Sequence, residues 1–200
     1  MKKLLTTVLV LCTILGYAQI NTLAPGSAAP DIKLKNIDNK ELSFKDFPDA
    51  KGFIIVFTCN TCPVSMAYEQ RIIALSKKLT PLGYPVIAIN PNDPVISTGD
   101  SFVKMQQRAK SRNYPFPYLF DPGQTVTNLY GATKTPHLFL AQKTKGGVIV
   151  QYTGAIDDDQ EEANPDRNKF VEEAVKALNS NKKPAVTATK AIGCTVKRAI

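Results

Sequence analysis

The stretch "GFIIVFTCNTCP", residues 52–63, joins a continuous apolar run to two cysteines and a proline. The run at 52–57 shows no polar alternation, which is typical of a strand buried on both faces of a sheet. Cys59 and Cys62 follow, separated by two residues. Pro63 suits the first turn of a helix, where its missing N–H costs nothing. The stretch therefore predicts a buried strand that runs into a helix, with two thiols at the junction.

The segments on either side predict alternating strands and helices. "PVIAIN", residues 85–90, is a second buried strand, and strand–helix–strand order implies a parallel pair with a right-handed crossover. A single apolar stripe at helical spacing marks the helix between them: Val64, Tyr68, Ile72, Leu75 and Leu79. Further elements are predicted as an N-terminal hairpin at 31–44, helices at 100–112, 124–131 and 165–180, a strand at 116–121, and a hairpin at 137–154. The fold class is α/β, with a central mixed β-sheet flanked by helices and an irregular C-terminal tail.

The first eighteen residues have the features of an export signal. Lys2 and Lys3 precede an apolar run at 4–15, and small residues stand at Gly16 and Ala18. Residues 1–18 are therefore predicted to be a signal peptide that takes Cys12 with it. We expect a periplasmic or secreted protein with one domain at 19–180 and a basic tail at 181–200.

Composition and charge limit the classes of partner that the protein is expected to bind. The formal net charge is +8, yet aromatic residues do not interleave with the basic ones, so no nucleic-acid partner is predicted. The basic tail reads as solvated, and no stable membrane span is expected after signal removal. Cys59, Cys62 and Cys194 remain in the mature chain. Three cysteines are too few for a disulfide scaffold, and their odd number predicts that at least one is free or transiently paired.

The junction supplies what disulfide exchange needs. A reactive thiolate must be exposed, stabilised and close to a second thiol, and the amides and positive dipole at a helix start stabilise negative sulfur. Cys59 is predicted to be the more exposed thiol, with Cys62 more shielded in or just before the first turn. A static structural disulfide is the alternative. A zinc knuckle would need a second ligand pair at similar spacing, so we predict no metal and no cofactor.

Short blocks along the chain carry a family resemblance. In order they are "CNTCP", "AYEQRI", "NPND", "YPFPYLFD", "GATKTP", "GAIDD" and "AIGCTVK". The chain resembles thioredoxin-fold redoxins, in particular the peroxiredoxin-like thioredoxin family, which is related to AhpC/TSA proteins. The resemblance implies a thiol-disulfide oxidoreductase in which Cys59 attacks a disulfide and Cys62 resolves the mixed disulfide. Its partners would be protein thiols or disulfides and a redox donor.

The same resemblance implies a substrate-binding element. Thioredoxin-like proteins place a cis-proline opposite the cysteine pair, and Thr135 with Pro136 matches that element. The Thr135 backbone edge would pair with an extended substrate chain. Many thioredoxins also bury an acid in the strand before the cysteines. This strand carries none, and Glu69 on the following helix is predicted to face solvent.

Two alternative functions stay open. In a thiol peroxidase acting on hydroperoxides, Cys62 before Pro63 would be the peroxidatic cysteine, but Cys59 stands where that family has a threonine and Pro136 stands near the expected arginine. In a Cu(I) chaperone, Cys59, Cys62 and His137 would be ligands, since soft thiolates suit Cu(I). Sco-type chaperones resemble this fold but space their cysteines one residue wider.

Cys194, in "AIGCTVKR", is a candidate auxiliary thiol near the end of the tail. As a functional residue it would fold back and form an alternative disulfide with Cys59 or Cys62. Otherwise it is a small buried hydrophobe or an idle thiol.

Overall fold

A computed structural model describes residues 21–161 and 163–198. The predicted signal peptide at 1–18 lies outside the described residues. The strands are β1 (Leu34–Asn36), β2 (Glu41–Leu42), β3 (Gly52–Phe57), β4 (Val86–Asn90), β5 (Tyr118–Phe120), β6 (Lys134–Thr135), β7 (His137–Thr144), β8 (Gly147–Gly154) and β9 (Cys194–Thr195). The α-helices are α1 (Pro63–Leu79), α2 (Phe102–Arg112), α3 (Thr125–Tyr130) and α4 (Phe170–Asn179), with short 3-10 turns at Phe44–Asp46, Thr80–Leu82 and Thr98–Asp100.

The main sheet is mixed, as predicted. Its strand order is β2-β1-β5-β4-β3-β7-β8. The β3–β4 and β4–β5 pairs are parallel, whereas β7 runs antiparallel to both β3 and β8. A separate two-stranded sheet joins β6 to β9. The predicted parallel crossover and the two predicted hairpins are confirmed.

Both faces of the sheet are covered, which explains why β3 is apolar throughout. Ile54 and Val56 belong to one core cluster, together with buried side chains of α1, α2 and α4. Phe53, Ile55 and Phe57 point to the other cluster, which includes side chains of α3. Every β3 residue is buried, since a strand covered on both faces has no solvent side to carry polar residues.

Helix boundaries follow the sequence signals with one exception. The α1 helix begins at Pro63, and the buried stripe lies where it was predicted, with Val64 half-buried. Gly131 ends α3 in the left-handed conformation. The last helix begins at Phe170 and not near Pro165, because the preceding residues form a loop in which the Asn168 N–H donates to Asp158.

The tail is largely irregular, as expected, but it folds back onto the domain. Ala188 forms a parallel bridge with Thr153, and β9 pairs with β6 beyond it. In the described part of the chain, none of the helices combines the length and the apolar character that a membrane crossing requires.

Candidate active site

Cys59 and Cys62 lie in the short connection between the end of β3 and the start of α1. Cys59 follows the end of β3 by two residues, and the intervening Thr58 N–H donates to Ile89 in the neighbouring strand. Cys62 is the N-cap residue of α1, and its carbonyl accepts the first helical hydrogen bond from Met66. The predicted position of Cys62, just before the first turn, is confirmed.

Thr135 is the residue that touches both sulfurs. Its hydroxyl oxygen lies 3.3 Å from the Cys59 Sγ, and its carbonyl oxygen lies 3.2 Å from the Cys62 Sγ. The Thr135–Pro136 peptide bond is cis, as the resemblance implied. Ser65, in the first turn of α1, adds a second hydroxyl 3.9 Å from the Cys59 Sγ.

Cys62 forms a disulfide with Cys194, and Cys59 is a free thiol. The tail therefore folds back and forms a disulfide with Cys62, one of the two pairings that the sequence left open for Cys194. In this state there is no bond between Cys59 and Cys62. The two Cα atoms are 5.9 Å apart although 132 residues separate them in the chain. The β6–β9 pairing brings them together, since it sets Cys194 opposite Thr135.

The expected difference in exposure between the cysteines is wrong for this state. Cys59 is 5% exposed and Cys62 is 3% exposed, so both sulfurs are buried. Cys62 is covered by β9, which lies against β6 and is bonded to Cys62 through Cys194, whereas Cys59 faces a small cavity that Glu69, Tyr114 and Phe116 line. Cys194 itself is only half-buried.

A buried carboxylate fixes the loop between the two cysteines. Asp100 is fully buried and accepts hydrogen bonds from the Asn60 N–H at 2.6 Å and from the Thr61 hydroxyl at 2.7 Å. Burial raises the pKa of Asp100, but hydrogen bonds from Asn92, Ser97, Thr61 and Asn60 outweigh it, so the net pKa lies below the usual value. Sequence reasoning missed Asp100, because nothing local in "STGD" indicates a contact about 40 residues away.

Glu69 is buried, and its predicted exposure to solvent is wrong. Its carboxylate accepts hydrogen bonds from Arg108 Nε at 2.6 Å and from the Tyr114 hydroxyl at 2.7 Å, and Arg112 Nε lies 3.1 Å away. Glu69, Tyr114 and Cys59 line the same small cavity. Burial and then Glu69 raise the pKa of Tyr114, which keeps its hydroxyl proton as a donor. The available signal was on α2, where two arginines four residues apart face one direction.

His137, the third ligand of the copper hypothesis, lies on β7 opposite Phe57. Its Nε2 is 3.1 Å from the Thr153 hydroxyl, and its ring packs on Phe139. Burial lowers the pKa of His137 to about 4, so the ring is neutral. Among the described residues, no group of three or more His, Cys, Asp and Glu side chains is placed to hold a metal ion.

Comparisons with known proteins find related sequences and folds. The chain is 26% identical over 143 residues to the thiol-disulfide oxidoreductase ResA of Geobacillus thermodenitrificans, covering 70% of this chain and 75% of that protein. A crystal structure of an uncharacterized conserved protein from Geobacillus kaustophilus superposes with a TM-score of 0.82 at 28% identity, over 90% of this chain and 94% of that one. An exposed lipoprotein thioredoxin from Streptococcus pneumoniae, at 20% identity and a TM-score of 0.52, covers 66% of this chain and 93% of its own and shares the thioredoxin-like fold.

The AhpC/TSA family matches residues 25–161, which include β1 to β8, α1 to α3, Cys59, Cys62 and Thr135. That range is more than half of the chain. The protein therefore belongs to the AhpC/TSA family, as a redoxin with a thioredoxin-like fold.

Proposed function

We propose that the protein is an exported thiol-disulfide oxidoreductase that exchanges disulfides with protein thiols through Cys59 and Cys62. The observation that carries this proposal is the contact of one residue, Thr135, with both sulfurs, through its hydroxyl to Cys59 and its backbone carbonyl to Cys62. An extended peptide needs such an edge beside the reactive sulfurs in order to present its disulfide. The similarity to ResA, whose name states this activity, supports the same conclusion.

The reaction starts from the protein in which all three thiols are reduced. The Cys59 thiolate attacks one sulfur of the substrate disulfide, and the other substrate sulfur leaves as a thiolate. The Cys62 thiolate then attacks the Cys59 Sγ and releases the first substrate sulfur. Both substrate thiolates take up a proton, two electrons have passed to the substrate, and the protein holds a Cys59–Cys62 disulfide.

The surrounding groups support these steps. The Thr135 hydroxyl can donate a hydrogen bond to the Cys59 thiolate, and the free amides that open α1 add favourable charge. Asp100 holds the intervening loop in place through Asn60 and Thr61. Glu69 holds Tyr114 and Arg108 around the cavity that Cys59 also lines.

Insulin reduction with dithiothreitol as donor tests the proposal. We expect Cys59→Ser and Cys62→Ser each to lose at least about 100-fold in turnover, with Cys62→Ser trapping a mixed disulfide on Cys59. Ser111→Ala on α2, an exposed position, is the control and should match the parent. Full turnover in Cys59→Ser combined with complete loss in Cys62→Ser would overturn exchange through this pair.

A thiol peroxidase is the second candidate, and the Cys62–Cys194 disulfide favours it. The Cys62 thiolate would attack a hydroperoxide oxygen, giving a sulfenic acid and an alcohol. The Cys194 thiol would then condense with it, forming the disulfide and water. Among the described residues, the polar contact of the Cys62 sulfur is the Thr135 carbonyl, which is an acceptor, whereas peroxide cleavage at Cys62 needs a donor for the developing charge.

Peroxide consumption separates the two candidates. The peroxidase predicts that Cys59→Ser keeps its rate with dithiothreitol as donor, while Cys62→Ser loses it. Disulfide exchange as the main activity predicts slow peroxide consumption in every variant.

Export and the domain limits are part of the proposal. Cleavage after Ala18 would leave Gln19 as the first residue of the mature protein, with a domain at 19–180 and the basic tail at 181–200. N-terminal sequencing of protein recovered from the periplasm or the medium should read from Gln19. A mature protein that begins at Met1 contradicts the signal peptide.

A further inference from the structure

The C-terminal segment is docked firmly beside the active site. The Val196 N–H donates to the Thr133 carbonyl at 3.0 Å, and the Val196 side chain is buried. The Lys197 N–H donates to Asn92 Oδ1 at 2.9 Å, and its carbonyl accepts from Gln124 Nε2 at 2.8 Å. Cys194 therefore reaches Cys62 through a defined strand.

This strand occupies the edge that the proposed function assigns to a substrate. Cys194 lies opposite Thr135 in antiparallel register, as an extended substrate cysteine would. Gly193 makes the approach close enough, since a Cβ at that position would stand 2.1 Å from the Thr135 carbonyl oxygen. The chain thus presents its own cysteine to its own reactive pair.

We propose that Cys194 is a relay cysteine, which carries the disulfide from the buried Cys59–Cys62 pair to a dithiol partner. The proposal rests on the proposed function, because it begins with the Cys59–Cys62 disulfide which that reaction leaves. The structure then represents the state after transfer, with Cys62 bonded to Cys194 and Cys59 again a thiol.

The transfer balances without any added oxidant. Cys194 loses its proton to water, and its thiolate attacks the Cys62 Sγ of the Cys59–Cys62 disulfide. The Cys62–Cys194 bond forms, the Cys59–Cys62 bond breaks, and Cys59 leaves as a thiolate that takes up a proton. A thiol of the dithiol partner then attacks the Cys194 Sγ, Cys62 leaves, and the partner's second thiol closes the partner disulfide and frees Cys194.

The solvent exposure of the three cysteines determines which of them reacts with the dithiol partner. Cys59 and Cys62 are 5% and 3% exposed, so an external thiol has little access to either sulfur. Cys194 is half-buried and is the open end of the disulfide. A bulky dithiol protein therefore reacts at Cys194, and Cys59 meets the next substrate disulfide once the released C-terminal strand has left the Thr135 edge.

Time-resolved disulfide mapping tests the relay. The reduced protein is mixed with one equivalent of 4,4′-dithiodipyridine, quenched in acid at intervals, alkylated and digested with trypsin. Cleavage gives residues 52–71, which hold Cys59 and Cys62, and residues 191–197, which hold Cys194. We expect the Cys59–Cys62 bond to appear first and to decay as the two peptides become linked through Cys62 and Cys194.

Two variants make the order of events testable. Cys194→Ser should stop at the Cys59–Cys62 disulfide. Gly193→Ala keeps all three thiols but forces β9 away from Thr135, and it should form Cys62–Cys194 at least about tenfold more slowly, with Cys59–Cys62 accumulating. Gly146→Ala, in an open turn of the β7–β8 hairpin, is the matched control and should behave as the parent.

The outcomes distinguish a failure of the relay from a failure of the proposed disulfide exchange. If Cys59→Ser forms Cys62–Cys194 as fast as the parent, or if Cys59–Cys62 persists in the parent with Cys194 free, the relay is wrong. Insulin reduction on the same samples then shows whether exchange survives. If no bond to Cys59 forms and insulin is not reduced, both proposals are wrong.

Discussion

Thr135 makes the most specific contribution to the site of any single residue, because it contacts a free and a bonded sulfur at once. Its hydroxyl lies closer to the Cys59 sulfur than that of Ser65, at 3.3 Å against 3.9 Å, and can stabilise negative charge there. We expect Thr135→Val to slow the first reaction of Cys59 with a small disulfide by about fivefold, the value of one hydrogen bond of about 1 kcal/mol.

The control for this prediction is Thr195→Val. Thr195 belongs to the same two-stranded sheet, but its hydroxyl accepts from Lys134 Nζ at the surface. Stopped-flow absorbance at limiting 4,4′-dithiodipyridine measures both rates. Equal rates in Thr135→Val and the parent would show that the hydroxyl does not act on Cys59.

The hydrogen bonds of Asp100 predict an effect on the free energy of unfolding. In Asp100→Asn an amide NH₂ replaces an oxygen that faces donors from Thr61, Asn92 and Ser97. We expect the free energy of unfolding at pH 7 to fall by about 3 kcal/mol in urea titrations, because buried donors lose a charged acceptor. Asp93→Asn, in the same loop with one bond to the Val95 N–H, should cost less than about 1 kcal/mol.

The pH dependence of this contribution has a definite sign. The folded pKa of Asp100 is lowered, so its stabilisation is present above the unfolded value of 3.8 and is lost as the pH falls below it. The gap between parent and Asp100→Asn should therefore narrow in acid. A gap that widens in acid would contradict the assignment.

Site residues differ in how far the sequence could reveal them. Cys59, Cys62 and Pro63 are adjacent in the chain, so strand-to-helix chemistry located them without a structure. Asp100 contacts the loop between the cysteines although α1 and β4 lie between the two segments in the chain. No local sequence pattern indicates that contact. A single apolar stripe on α1 predicts that Glu69 faces solvent, whereas the arginines of α2 cover a second face of that helix.

Among the elements, α1 positions Cys62 at its N-terminus, and Arg71 near its middle anchors it to the loop after β8. Arg71 donates to both oxygens of Asp157 at 2.8 and 2.9 Å and to the carbonyl of Gln160 at 2.7 Å. The Tyr68 hydroxyl also donates to Asp157, and burial followed by that carboxylate raises the pKa of Tyr68 to about 12. These bonds hold the loop after β8 against α1.

Breaking this anchor should be costly. Arg71→Met leaves a buried carboxylate with less compensation, and we expect unfolding in urea to need about 3 kcal/mol less free energy. Lys78→Met, on the same helix, removes an exposed pair with Glu172 and should cost less than about 0.5 kcal/mol. Similar costs for the two variants would mean that the buried pair does not hold the helix.

Elements with local signals were predicted well, and elements made by distant pairing were not. The apolar run of β3 and the stripe of α1 are periodic patterns within one segment. By contrast, β9 is two residues long and exists because it meets β6 across about 60 residues of chain. Its only local mark is Gly193, whose purpose becomes clear once Thr135 lies beneath it.

At the scale of the whole molecule, a sheet covered on both faces also buries the single histidine. His137 is 4% exposed within β7, and burial lowers its pKa to about 4. The unfolded chain binds a proton near pH 6.5, so between these values it holds more protons than the folded protein. Stability from this group is therefore complete above pH 6.5 and is lost as the pH falls towards 4.

This difference predicts a loss of about 3 kcal/mol of unfolding free energy between pH 7.5 and pH 4, since each pKa unit corresponds to about 1.4 kcal/mol. His137→Gln keeps a polar group for the Thr153 hydroxyl but cannot take up the proton. Urea titrations of both proteins across this range should give a shallower pH slope for the variant, although carboxylates contribute to both. Parallel slopes would mean that the histidine is already accessible to protons in the folded protein and that the sheet is less closed around it than its burial implies.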